Sequence, residues 1–302
     1  MPEFNLYNGV SIPDLCYGTS IVYLYRYGET NFARRANYWL KNCIKNRPQI
    51  KLDISAPKAI KSAMENDIRC FDTSRAYGGA EYVLGKVLKK YDRNKFFVIT
   101  KLRNKDQFQG NIREAFEKSL SELGMEYVDL YLMHWPVTDL YVKNWKVLEQ
   151  LYDEGLCKAI GVCNCNIHHL KEIGATANIK PMVNQFECHP LFTQDELRNY
   201  CNENDIQVMA YTPTGRMDQR LNKTVLVSIA QKYKKSVAQI ILRWHQQIGN
   251  IPVVNSSNSK HVIENSEIYD FELNNDEINQ ILKININSRL RYDPDNCDFR
   301  KL

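Results

Sequence analysis

Short apolar runs alternate along this chain with longer segments in which apolar residues return every three or four positions. The short runs, read as strands, fall at 15–19, 68–71, 96–100, 127–133, 158–162, 182–185, 206–211 and 251–254. Helical periodicity marks 57–66, 80–90, 111–123, 142–154, 167–175, 193–204, 223–233 and 237–247. Strands separated by helices predict a parallel sheet, and eight such units predict closure into a (β/α)8 barrel, the TIM-barrel architecture. Ahead of the barrel, runs at 4–6 and 10–12 flank Tyr7-Asn8-Gly9, where an Asn-Gly pair predicts the tight turn of a β-hairpin. Beyond the eighth strand, 260–268 and 275–283 predict two further helices, followed by an irregular tail. The expectation is one barrel domain over residues 1–302.

One segment breaks the rhythm. Residues 20–56 are too many for a structureless loop in a compact domain, and they are basic at Arg34, Arg35, Lys41, Lys45 and Arg47. They follow the first barrel strand on the side where barrel active sites form, so a functional element and a plain surface flap both fit.

The polar residues at the strand ends carry the chemistry. Asp72, Tyr77, Lys101 and His134 each fall at or just beyond the end of an apolar run. In a parallel barrel those ends converge on one face, which brings a carboxylate, a phenol, an ammonium and an imidazole together. Taken singly, each has an ordinary structural reading, and Asp72-Thr73-Ser74 also suits a helix cap. A convergent set of four favours proton-transfer chemistry.

Composition narrows the partners. The net charge of +5 from 40 basic and 35 acidic residues is mild and forms no long basic block, so no nucleic-acid footprint is read from it. No apolar stretch is long enough to span a bilayer, and MPEFNLYNGV lacks the features of a signal peptide. Nine scattered cysteines without CxxC pairing predict reduced thiols and a cytoplasmic setting. Cys163-x-Cys165 has no histidine partners at ligand spacing, so no metal is expected.

Six ordered motifs then identify a family: FDTSRAYGGAEYVLG, VITKL, LYLMHWP, AIGVCN, MVNQFECHP and AYTPTG closely resemble the aldo-keto reductases. The resemblance runs from about Phe4 to the tail, interrupted mainly by the segment 20–56, and its short loops are those of a bacterial-like member. It implies NAD(P)H-dependent reduction of an aldehyde or ketone to an alcohol, with Asp72, Tyr77, Lys101 and His134 as the catalytic set. In that reading Tyr77 protonates the oxygen, Lys101 lowers its pKa from the usual value of about 10, Asp72 holds Lys101, and His134 orients the carbonyl. The resemblance also implies that Asn164 and Gln185 bind the nicotinamide carboxamide, with Cys163 in place of a serine donor, and that Tyr211 stacks on the ring. Gly18, Thr19 and Asp72 lie on the cofactor side, Thr212, Thr214 and Gly215 wrap the pyrophosphate, and Ser256, Glu264 and Asn265 surround the adenosine. No GxGxxG follows a strand, so a Rossmann site is not expected.

Departures from the family pattern add expectations. Asn255 and His261 stand where most relatives carry the Lys and Arg that grip the NADPH 2′-phosphate, which predicts use of NADH as well as NADPH unless the adjacent Lys260 substitutes. Arg103 replaces an aromatic pocket residue, where it points either to a carbonyl substrate with an anionic group or simply into solvent, while Trp135 is expected as a pocket wall. Open-chain sugars fall in the same substrate range. Short loops after His134 and Tyr211 predict a pocket that is shallow on two sides. A monomer is expected. The alternative function is a nicotinamide-binding regulatory or scaffolding subunit of the same fold with little turnover.

Overall fold

The computed structural model describes residues 2–20 and 47–302. Strands β1 (Glu3–Asn5) and β2 (Ser11–Pro13) pair antiparallel, Phe4 opposite Ile12, as the Asn-Gly turn predicts. Eight further strands close a parallel barrel: β3 (Cys16–Gly18), β4 (Cys70–Asp72), β5 (Phe97–Leu102), β6 (Val128–Met133), β7 (Cys157–Cys163), β8 (Val183–Glu187), β9 (Gln207–Tyr211) and β10 (Ile251–Val254). β10 pairs with both β9 and β3, which leaves no open sheet edge. Helices cover the outside, so the strands are buried on both faces and read as nearly unbroken apolar runs. Within β7 only Lys158 is exposed. Gly161 serves the closure: a Cβ there would lie 2.6 Å from the Val183 carbonyl oxygen and 2.7 Å from Leu132 Cδ2.

Between the strands run α1 (Arg47–Glu65), α2 (Ala80–Leu88), α3 (Asn104–Gln109), α4 (Ile112–Leu123), α5 (Tyr141–Asp153), α6 (Ile167–Thr176), α7 (Asp195–Glu203), α8 (Val225–Tyr233) and α9 (Val237–Gln247). After β10 come α10 (Ser259–Ser266) and α11 (Asn275–Leu282).

Two elements differ from expectation. α1 begins ten residues before Pro57 and passes through it. The missing N–H removes one helical bond, and a proline that suggests a helix start lies mid-helix instead. Of the segment 20–56, residues 21–46 lie outside the described residues, with Arg34, Arg35, Lys41 and Lys45 among them. The second is α3, whose NKDQFQ has no apolar period to announce it. No described helix is long and apolar enough to cross a membrane.

Candidate active site

The strand register sets the polar side chains on one rim. Gly18 pairs with Asp72, Asp72 with Ile99, Lys101 with Leu132, Cys163 with Gln185, and Glu187 with Tyr211. Past the strand ends, further backbone bonds pin the residues that follow. Thr19 N donates to Asp72 O (2.8 Å), Thr73 N to Ile99 O (2.8 Å), His134 N to Leu102 O (3.2 Å) and Asn164 N to Gln185 O (2.9 Å). The functional side chains therefore stand on rigid strand ends.

Lys101 is wholly buried, and a buried ammonium needs a paired charge. Its Nζ lies 2.5 Å from each carboxylate oxygen of Asp72 and 2.9 Å from the Thr73 carbonyl oxygen. Gln185 Nε2 donates to Asp72 Oδ2 at 2.8 Å. Burial alone would lower the Lys101 pKa, but Asp72, Tyr77 and Cys163 outweigh it, so the pKa is raised and the ammonium stays charged. Lys101 Nζ is 5.2 Å from the Tyr77 ring centroid, and the His134 ring packs edge-on against Tyr77 at 5.7 Å.

Burial pushes the Tyr77 phenol up to about 12, with Lys101 pulling it down by charge and hydrogen bond. The expected sign of the Lys101 effect is present, but burial is larger. The phenol thus stays protonated near neutrality. Burial, then the charges of Lys101 and Arg291, push His134 down to about 3, so its imidazole is neutral.

The residues expected at the cofactor fall into two groups. Around the mouth, Tyr211 OH donates to Asn164 Oδ1 at 2.6 Å, and Asn164 Nδ2 donates to the His134 carbonyl oxygen at 3.0 Å. The Cys163 thiol faces Gln185 Oε1 at 4.0 Å. Thr212 has φ 48° and a buried hydroxyl with no partner among the described residues, in the loop that Thr214 and Gly215 continue. An orphaned hydroxyl is costly unless something binds it, and a pyrophosphate oxygen suits it. The residues present fit a nicotinamide dinucleotide.

The second group gathers beside β10. Tyr17 OH donates to the Ser256 carbonyl oxygen (2.7 Å), and Asn255 bonds Ser20. On α10, His261 pairs with Glu264 at 3.1 Å, and Gln239 Nε2 donates to the Glu264 carbonyl oxygen near Asn265. Asn255 and His261 are exposed and supply no permanent cation.

The two residues expected at the substrate pocket both make further contacts. Arg103 Nε and Nη2 bond the two Asp106 oxygens at 3.0 and 2.7 Å, so its planar fork is already engaged. The partner lies on α3, which the apolar pattern did not announce. Trp135 is 6% exposed and packs on Phe299 of the tail with a centroid separation of 6.2 Å.

The tail is ordered around the rim, in reverse strand order. Ser288 N donates to the Leu191 carbonyl oxygen (2.9 Å). Leu290 N and Arg291 N donate to Glu187 Oε1 (2.6 Å) and Oε2 (2.8 Å) at the end of β8. Asp295 meets Asn166 Nδ2 (2.7 Å) ahead of α6, and the Phe299 carbonyl oxygen accepts from Asn104 Nδ2 (3.1 Å) beyond β5. The tail thus runs past the ends of β8, β7 and β5. Glu187, missed in the sequence, is its main anchor. The signal was a carboxylate in the apolar run MVNQFECHP. Burial alone would raise its pKa, but His189 and the Leu290 and Arg291 N–H groups outweigh burial and hold it below the ordinary value.

Among the described residues, His168, His169 and Asp295 place ligand-type atoms within 4.8 Å of one another. His169 Nδ1, however, accepts the Asn166 N–H of the α6 cap (3.0 Å), which leaves the proton on Nε2, the atom turned to Asp295. A ligating nitrogen needs its lone pair there. The group acts as a clasp for the tail.

Comparisons with known proteins agree with this architecture. The sequence signature described as the Aldo/keto reductase family matches residues 53–286. A glyoxal reductase of Bacillus subtilis (strain 168) is 42% identical over 245 residues, 81% of this chain and 88% of that protein. A methylglyoxal reductase of Escherichia coli (strain K12) is 40% identical over 242 residues, 78% of this chain and 87% of that one. The crystal structure of a Bombyx mori aldo-keto reductase in complex with NADP superposes with a TM-score of 0.82 at 29% identity, covering 97% of this chain and 96% of its own. Barrel, signature and relatives converge with the six motifs, and the chain belongs to the aldo/keto reductase family of NAD(P)H-dependent oxidoreductases.

Proposed function

We propose that the protein reduces a small aldehyde or ketone reversibly to its alcohol, with Tyr77 as the general acid. The observation that carries this reading is the buried Lys101–Asp72 pair set beside a protonated phenol and a neutral imidazole. A reduced nicotinamide, when bound, supplies hydride to the carbonyl carbon. The carbonyl π pair moves to oxygen, which takes the Tyr77 proton. Lys101 stabilises the phenolate left behind, Asp72 keeps Lys101 in place, and His134 orients the carbonyl. Asn164, Gln185 and Tyr211 would hold the nicotinamide, Thr212 and Thr214 the pyrophosphate, and Ser256, Glu264 and Asn265 the adenosine end. Small dicarbonyls such as glyoxal and methylglyoxal head the substrate range, because similar proteins are named for them. A carbonyl panel assayed in parallel with NADH and NADPH tests the reading. Turnover of small dicarbonyls supports it, and oxidation of neither cofactor by any carbonyl contradicts it.

Among the described residues, a charge available to an anionic substrate lies on the tail. Arg291 is exposed, has no carboxylate partner among the described residues, and bears electrostatically on both His134 and Tyr211. Arg291→Ala should cost about tenfold in kcat/KM for an acidic carbonyl and little for its neutral analogue. Arg103→Ala, whose guanidinium is held by Asp106, should not discriminate between the two. Equal losses on both substrates for Arg291→Ala would remove the charge argument.

A further inference from the structure

Ser74 lies in the turn between Asp72 and Tyr77 and is wholly buried. Its carbonyl oxygen accepts the Tyr77 N–H at 2.9 Å, so the residue helps to set the phenol's backbone. Among the described residues its hydroxyl has two hydrogen-bonding neighbours. Ala76 N donates to Oγ at 3.1 Å, and His134 Nδ1 lies 3.3 Å from the same oxygen. A hydroxyl carries one proton and needs an acceptor for it when buried. The Ala76 N–H is a donor and offers none. Nδ1 is the acceptor that remains.

We propose that Ser74 is a positioning residue: its hydroxyl donates to His134 Nδ1 and holds the imidazole as the Nε2–H tautomer, the form that can donate to a substrate carbonyl oxygen. A neutral imidazole has one N–H, so a proton received at Nδ1 by hydrogen bond leaves the ring's own proton on Nε2. His134 is kept neutral by burial and by the Lys101 and Arg291 charges, which prevents a second ring proton from erasing the choice. Nε2 bonds no protein group among the described residues, so its N–H is free for a ligand. The opposite tautomer would strand the serine proton and turn a lone pair toward the carbonyl oxygen, which repels it. This inference rests on the reductase reading, because only there does the Nε2 donor act on a carbonyl.

Nitrogen-resolved NMR of the histidine rings decides it, with the His134 signals assigned by their loss in His134→Asn. The full chain should show His134 with a bare Nδ1 and a protonated Nε2 near neutral pH. Ser74→Ala should shift that population toward Nδ1–H, and Ser74→Thr, which keeps the hydroxyl, should restore it. In parallel, Ser74→Ala should lose roughly tenfold in kcat/KM for methylglyoxal with unchanged cofactor affinity, and Ser74→Thr should recover it. A protonated Nδ1 in the unsubstituted protein, or an unchanged ring state in Ser74→Ala, would overturn the proposal. Failure of every carbonyl to turn over would overturn the reductase reading and with it the Nε2 donor's role, whereas the ring-state result stands or falls separately.

Discussion

At the scale of single residues, the site depends on one buried cation. Lys101 is wholly buried with Asp72 as its counterion, and removing the partner strands the charge. Asp72→Ala should cost about 3–5 kcal/mol in denaturant unfolding. A loss near zero would mean that Lys101 finds another partner or loses its proton. The neighbouring imidazole gives a second expectation. With His134 pushed down to about 3 and Tyr77 up to about 12, neither titrates between pH 5 and 8. The kcat/KM profile for reduction should therefore show no His134-dependent limb in that window. An inflection near the ordinary histidine value that disappears in His134→Asn would contradict this. The convergence of Asp72, Tyr77, Lys101 and His134 was legible in the sequence because each ends an apolar run. Ser74 was not, since a serine between Asp and Tyr looks like a capping residue until the His134 ring is placed beside it.

At the scale of elements, strands and most helices were legible because burial on a sheet or one helix face leaves a period in the sequence. The tail was not. Its order comes from single polar anchors far away in the chain: Glu187 for Leu290 and Arg291, Asn166 for Asp295, and Asn104 for Phe299. Such anchors leave no period. For the same reason α3, and Asp106 with it, is not legible in the sequence, and neither is the ion pair that Arg103 makes there. The tail's dependence on Glu187 has a definite pH sign. A carboxyl held below its ordinary value of 4.5 contributes fully above that value, and its contribution fades as pH falls through the lowered folded-state pKa. Amide exchange at Leu290 and Arg291 should thus accelerate in acid before the barrel amides do. Glu187→Gln should give the same local opening at neutral pH, with a loss of about 1–3 kcal/mol. Unchanged protection of both amides would show that other contacts hold the tail.

At the scale of the whole molecule, the eight-unit alternation was enough to specify a closed barrel, because a parallel sheet with exterior helices and no free edge has few other solutions. Cofactor choice is a different kind of property, which we propose is set by a few exposed side chains beside β10. Asn255 and His261 offer no fixed positive charge there, and His261 is turned to Glu264. We expect kcat/KM with NADH within about tenfold of that with NADPH. Asn255→Lys combined with His261→Arg should favour NADPH by about tenfold or more, since each charge-assisted bond contributes roughly 1.5–3 kcal/mol. A large NADPH preference in the unsubstituted protein would contradict the expectation.

The central claim, that Tyr77 delivers the proton while a bound nicotinamide delivers hydride, is tested most directly by single-turnover oxidation of the reduced cofactor by methylglyoxal. The unsubstituted protein should oxidise it rapidly, and Tyr77→Phe should slow that step by about 10²–10⁴ with cofactor affinity unchanged. Equal rates in the two proteins would contradict the role of Tyr77. A reduced cofactor that persists in both, whatever the carbonyl, would point instead to a binding subunit with little turnover.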